Sequence, residues 1–280
     1  MKSIITAIAV LFTFSLTAQN FQGKATYKTS RKSNFKIGGG KNDQMSDDMM
    51  DKIKARMSKM NQKTFILDFN KYASSYKEEV NLAAPKPSAG SVTFLSFGGP
   101  GNGSVYYKNT KEKRYVNQTE IQGKRFLVKD KLPEHKWEMS SETKNIGKYT
   151  CYKATYSKEV DNKKISFVNG ETKEVVEKKT IVTTAWYTPQ VPVSNGPKNY
   201  QGLPGLILEI NDGTNTIVCT EIVLDTSGSI KIEEPKKGKV VSQKEFTEIR
   251  NQKSKEMLEK FKSRKGVDMG NGVNVKFSGN

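Results

Sequence analysis

Residues 199–212 read NYQGLPGLILEIND. Gly202 and Gly205 bracket Leu203-Pro204, and the chain then runs straight into Leu206, Ile207, Leu208 and Ile210. This is the grammar of a constrained turn feeding a buried strand. Gly202 can take a positive φ, Pro204 fixes its own, and Gly205 again relieves steric restriction. A surface that grips a partner is the other reading. Upstream, the strand TIVTTAWYT stops before Pro189, and Pro192 again forbids regular pairing. Gly196-Pro197 marks a further turn. Trp186 and Tyr187 stand at the far end of this connection, with rings placed either to cover the loop or to form a ledge for sugar or peptide. Downstream, NDGTN (211–215) carries the Asp-Gly pair of tight hairpins, so GLILEI and TIVCTEI are expected as adjacent antiparallel strands.

Working outward, strand signals dominate. FQGKATYKTSRK alternates at Phe21, Ala25 and Tyr27. TFILDFNKYASSYKEEV reads as two strands turning at Asn70, and SVYYKNTKEKRYVNQTEI as a hairpin turning at 111–113. KRFLVKDKL, KWEMSSETKNI and KYTCYKATYSKE follow. Short strands linked by Gly, Asn and Lys turns give a mainly β (α+β) fold class, with a curved antiparallel sheet or half-barrel.

Two helices interrupt it. In residues 44–62, after the first strand, Met45, Met49, Met50, Ile53, Met57 and Met60 form an amphipathic stripe. A Met-rich face can pack on the sheet or serve as an adaptable ligand-facing surface. A copper(I) site lacks supporting His or Cys. The second helix opens at Ser242, where SQKE fits a capping box closed by Glu245. Phe246, Ile249, Met257, Leu258 and Phe261 give it a broken apolar face, and the rest is basic. The tail GVDMGNGVNVKFSGN reads as frayed or as a short edge strand. AAPKPSAGS (83–91) and FGGPGNGS (97–104) read as connectors.

Residues 1–18, MKSIITAIAVLFTFSLTA, have a positive start, a short apolar run and a small residue at the end, the pattern of a secretory signal peptide. No later segment is apolar enough to span a bilayer. The organisation expected is a leader at 1–18, a β-rich domain at 19–235 that includes the 44–62 helix, and a basic helix and tail at 236–280. Export to the periplasm, the outer membrane or the medium follows from the leader. The formal charge is +18, which attracts anionic partners. In an exported chain with no recognised nucleic-acid module these are lipid, cell wall or acidic glycan rather than nucleic acid. Cys151 and Cys219 sit in strand-like runs and are either a disulfide or two buried free thiols. His135, the one histidine, lies in a loop and reads as solvated. No metal or cofactor motif is present. No carboxylate pair stands out, although a two-carboxylate glycan hydrolase remains the enzyme alternative.

Gly202-Leu203-Pro204-Gly205-Leu206-Ile207, with Ala185-Trp186-Tyr187-Thr188, Gly196-Pro197 and Tyr200 upstream and Ile146 to Ala154 further back, resembles the GLPGLI family of exported Bacteroidota proteins. The resemblance reaches to about Asp225. It implies a small exported β-rich domain with no assigned activity, so no catalytic residue carries over. The motif residues transfer as fold-specifying positions and Trp186 as a packed anchor. The function expected is a non-enzymatic periplasmic binding module for a lipid, peptide or envelope component. The alternative is a structural or interaction protein of the envelope, using its C-terminal helix on anionic surfaces.

Overall fold

The structure is a computed structural model that describes residues 21–31, 62–79, 103–168, 171–225, 227, 229–263 and 274–278. The leader (1–18) and the Met stripe (Met45, Met49, Met50, Ile53, Met57, Met60) lie outside the described residues. The helix over 44–62 is therefore no part of the architecture reported below, and the helix described is the C-terminal one. The strands are β1 (Gln22–Arg31), β2 (Lys63–Phe69), β3 (Ala73–Glu78), β4 (Val105–Asn109), β5 (Arg114–Ile121), β6 (Lys124–Lys131), β7 (Glu138–Ile146), β8 (Tyr149–Val168), β9 (Glu171–Thr188), β10 (Leu206–Asn211), β11 (Asn215–Asp225), β12 (Lys239–Val241) and β13 (Asn274–Ser278). Helix α1 spans Gln243–Ser263.

All described strands join one open sheet in the order β12-β6-β5-β4-β3-β2-β1-β11-β10-β9-β8-β13, with β7 also on β8. Every pairing is antiparallel except β12 on β6. The hairpins have local causes. Gln122 and Gly123, between β5 and β6, both take positive φ (49° and 81°), the two-residue geometry that matches strand twist. Between β10 and β11, Gly213 has φ 83° and Asp212 Oδ1 accepts from the Thr214 and Asn215 amides.

The sheet curls strongly. Flat, β4 and β8 would stand about 34 Å apart, seven spacings of roughly 4.8 Å. Yet Lys108 on β4 bonds the Tyr200 carbonyl at 2.7 Å, and the Tyr200 ring reaches Tyr156 on β8. Both edges of this run therefore bend round the 189–205 connection. That connection fills the concave face: Val191, Val193 and Leu203 pack with Tyr27, Leu67, Phe69, Ala154, Ala185 and Ile207 in one core.

The C-terminal segment is stitched to the same sheet. Phe246 of α1 meets Phe126 edge-on at 5.7 Å and joins Tyr115, Val128, Leu132 and Val241 in a second core. The Ser242–Glu245 capping box forms in both directions, with Glu245 Oε2 accepting from the Ser242 amide and Ser242 Oγ from the Glu245 amide. The strands β8 and β9 run far past their neighbours. Strand β7 covers β8 only at Glu138–Ile146, and β10 covers β9 only at 184–188. Beyond that they form a two-stranded ribbon, with β13 along β8 at 162–166.

Packing explains Gly205. At Gly205 a Cβ would lie 2.2 Å from the Thr188 carbonyl oxygen. The expected outcome for Gly205→Ala is a loss of about 3 kcal/mol of unfolding free energy, the size of a severe overpacking, read from the denaturant midpoint.

Candidate functional site

The 189–205 connection cannot pair like a strand, because Pro189 and Pro192 withhold amide donors, so its polar groups must be satisfied individually. Tight main-chain bonds fold it on itself: the Val193 amide donates to Val191, Asn195 to Val193, and Gly205 to Leu203, each at 2.8 Å. It then ties to the strand it precedes, the Leu206 amide to the Val191 carbonyl and the Ile207 amide to the Asn195 carbonyl, both at 2.9 Å. Tyr27, fully buried in β1, donates its hydroxyl to the Ile207 carbonyl at 2.7 Å. Asn195, buried, accepts through Oδ1 from Ser74 Oγ at 3.1 Å and from the Gly196 amide at 2.8 Å.

The strongest tie is Lys108. Its side chain is wholly buried, and its Nζ donates to the carbonyls of Gly196 (2.7 Å), Lys198 (2.9 Å) and Tyr200 (2.7 Å). Burial pushes the amine well below its ordinary pKa. Three carbonyl acceptors oppose that, because only the ammonium has three N–H groups to serve them. We therefore assign the charged form, caged by loop dipoles in place of a carboxylate.

On the same loop, Trp137 donates Nε1–H to the Gln201 carbonyl at 2.9 Å, and His135 Nε2 lies 3.2 Å from the Asn199 carbonyl. Since a carbonyl only accepts, Nε2 carries the proton. The His135 ring stands 4.8 Å from Tyr156 and 5.6 Å from both Trp137 and Tyr200. This corrects the expectation of a solvated histidine: the ring is half-buried in an aromatic box. Burial lowers its pKa, Lys108 and Lys158 add to the lowering, and the Asn199 carbonyl opposes it.

The motif residues do converge. Gly202 takes φ 97° beside the Trp137 ring. Gly196 backs onto Ile207, where a Cβ would sit 2.8 Å from the isoleucine Cβ. Pro197 is buried and its carbonyl accepts from the Tyr200 amide at 3.1 Å. Leu203, Leu206 and Ile207 are core, while Pro204 is exposed. Trp186 and Tyr187, neighbours on β9, point to opposite faces and make no common ledge. Tyr187 is buried, its hydroxyl 3.6 Å from Met139 Sδ. Trp186 lies on the outer face under Lys144, whose Nζ is 4.4 Å from the ring centroid and 2.7 Å from Glu209 Oε2.

Cys151 and Cys219 are buried free thiols. Burial raises them to about 11 and about 12, which leaves them poor nucleophiles. Cys219 lines a cleft of about 200 Å³ with Ile146, Tyr149, Leu208 and Ile222, smaller than the roughly 300–1,000 Å³ of ordinary ligand pockets. Among the described residues no three His, Cys, Asp or Glu side chains gather as metal ligands, and no helix is long and apolar enough to cross a membrane.

Sequence reasoning missed Lys108, His135 and Trp137. Lys108 is one lysine among many in a hairpin, and nothing local marks it as buried. The aromatic letters of HKW were visible, but their partners lie 64 residues away.

A family model described as a protein of unknown function, Porph_ging, matches residues 137–209, from β7 to the middle of β10; the family is found in Bacteroidota. No curated protein matches. Among solved structures, PNGF-II in a C2 crystal form is similar at 15% identity and a TM-score of 0.46, covering 82% of this chain and 32% of its own. The P21 form gives 14%, 0.44, 83% and 33%. The chain thus spans about a third of the length of the solved structures it matches.

Two outcomes are expected. Lys108→Met leaves three loop carbonyls without their donor and lowers unfolding free energy by on the order of 3 kcal/mol; Lys108→Arg, whose planar fork cannot converge on three acceptors, does not restore it, as thermal melts will report. The second concerns acid. A histidine with a depressed folded pKa contributes stability that is present above its unfolded value, near 6.5, and lost as pH falls through the folded one. Melting temperature should therefore fall below about pH 6.5, and His135→Gln should flatten that part of the pH profile.

Proposed function

We propose that this chain is a GLPGLI-type, exported, non-enzymatic binding module of the bacterial cell envelope, and that its ligand is an anionic envelope component. The observation that carries the reading is the filled concave face. With Val191, Val193, Leu203 and the Lys108 cage occupying that space, a lipid chain inside the curl finds no room among the described residues. Recognition then falls to outer surfaces, which are cationic in a chain of formal charge +18. One corner concentrates that character. Lys71 and Lys111 bring their ammonium groups to 5.3 and 5.7 Å from the ring of Tyr72, itself 46% exposed. The Thr110 amide and hydroxyl both donate to the Tyr72 carbonyl, at 2.8 and 3.0 Å, and hold the β2–β3 turn against the β4–β5 turn. Two ammonium groups beside an aromatic face suit a phosphate or carboxylate on a larger, partly apolar headgroup.

The test is co-sedimentation of the full chain with vesicles of anionic phospholipid and with zwitterionic vesicles. Binding to the anionic set alone, weakening as salt rises, is expected. The double variant Lys71→Ala, Lys111→Ala should weaken it roughly 30-fold, at about 1 kcal/mol per lysine near the surface. Equal binding to both vesicle types, or none at low salt, would overturn the reading.

A further inference from the structure

Strand β11 is covered unevenly. On one side β1 pairs along it from Asn215 to Asp225. On the other side β10 takes only Thr216–Val218, through Glu209–Asn211. Beyond Val218, among the described residues, no strand pairs on that side. The cause is local. The β10 register shifts between Ile207 and Glu209, and Leu206 and Ile207 stay with Thr188 and Tyr187 of β9. Exposure follows the loss of cover. Cys219 is buried, whereas Thr220 and Glu221 are exposed, and Val223 and Leu224 are 53% and 42% exposed. An open edge presents main-chain donors and acceptors to another strand.

The cleft of about 200 Å³ lies where this edge begins. Residues 219–222 form one wall, the β7–β8 turn from Ile146 to Tyr149 another, and Leu208 a third. A cavity of about 150 Å³ takes a benzene ring, so this cleft suits one large apolar side chain.

The surroundings say which end of a chain it takes. A newcomer laid antiparallel on β11 runs from Asp225 toward Cys219. There β10 already holds the edge, so the newcomer stops at the cleft with its C-terminus foremost. Lys148 lines the cleft from the exposed turn, its ammonium 5.6 Å from the Tyr149 ring centroid, and offers a counter-charge to a terminal carboxylate. Parallel addition would instead bring a terminal ammonium to that lysine. Glu221 stands two positions further along the same wall and disfavours an acidic residue just before the terminus.

We infer that the Cys219–Asp225 edge binds the C-terminus of a partner polypeptide, added as an antiparallel strand with its last apolar side chain in the cleft and its carboxylate at Lys148. Main-chain bonds supply the affinity of such an addition and the side-chain pocket its specificity. One short edge makes the contact weak and exchangeable.

Fluorescence anisotropy of the full chain with N-terminally labelled hexapeptides tests it. The peptides alternate threonine and valine and end in phenylalanine or serine, each as free acid and as amide. The phenylalanine acid should bind. Amidation, a serine end, or Lys148→Glu should each weaken it roughly 10-fold, the size of one charged hydrogen bond or a partly buried side chain. Methylating alternate peptide nitrogens removes strand donors and should abolish binding, and Lys148→Glu should melt like wild type. No binding at roughly 1 mM chain, where even millimolar dissociation constants register, would overturn the site. So would equal binding of acid and amide, of the two ends, or of wild type and Lys148→Glu, or binding kept by the methylated peptide. A chain that dimerises alone and is split by the peptide would give the edge to a second copy and overturn it too. Failure of vesicle binding in the preceding experiment would leave this result untouched, because the Lys71–Tyr72–Lys111 corner and the β11 edge share no residue.

Discussion

The ammonium of Lys108 is the constraint on which the interior depends. The twist of its strands makes a sheet of many strands coil, but it does not set how tightly the sheet closes, and a proline-broken connection has no reason of its own to lie down in the hollow. The buried cation supplies what both lack, because its desolvation is tolerable only where several carbonyl dipoles converge on it. Gly196, Lys198 and Tyr200 provide them within 2.9 Å. The loop positions the carbonyls, the cation holds the loop, and β4 is drawn toward the far strands as a result. Tyr27 and Asn195 repeat the logic with neutral groups, Tyr27 bonding the main chain of β10 where the loop joins it and Asn195 the main chain of the loop itself.

This arrangement bears on how the motif should be understood. Glycine and proline clusters before an apolar strand invite comparison with catalytic loops, whose main chain is held ready for a substrate. Here the carbonyls of Asn195, Gly196, Lys198, Asn199, Tyr200 and Gln201 are all engaged by the protein itself. Gly196 and Gly205 serve close approach of chain to chain, and Gly202 a positive φ. A loop with its main chain so committed acts as a core element with no side-chain bulk to spare.

Most of the strand ladder was legible because its signals are local. The Asn70 turn, the 111–113 hairpin, the Asp-Gly connection and the Ser242 capping box each declare themselves within a few residues, and each stands where the sequence places it. The edge-strand reading of the tail matches β13. The stretch that carries the resemblance overlaps the 137–209 match to a family of unknown function found in Bacteroidota; that match does not carry the GLPGLI name. Other features were not legible. The continuation of β8 past Val160 and of β9 before Lys178 carries a few apolar residues (Ile165, Phe167, Val168, Val175, Val176) among polar and charged ones, too short a run to declare two long strands. Burial of Lys108 and His135 is decided by partners 64 to 92 residues away, and no window of sequence contains both members of such a pair. The sheet's curl is a sum of these distant bonds.

The position of β1 has a consequence for how the molecule comes into being. The strand nearest the N-terminus sits mid-sheet between β2 and β11, and its partners on β11 are about two hundred residues further along the chain. The bond from Tyr27 to Ile207 spans 180 residues, and that from Ser74 to Asn195 spans 121. A chain emerging N-terminus first would hold Ala25, Tyr27, Leu67 and Phe69 without their cover until residues 185–219 had followed. Closure of so many distant contacts is slow and leaves apolar strand faces open while it proceeds. The molecule therefore spends the interval between emergence and closure as a half-sheet, the state in which it most needs an escort.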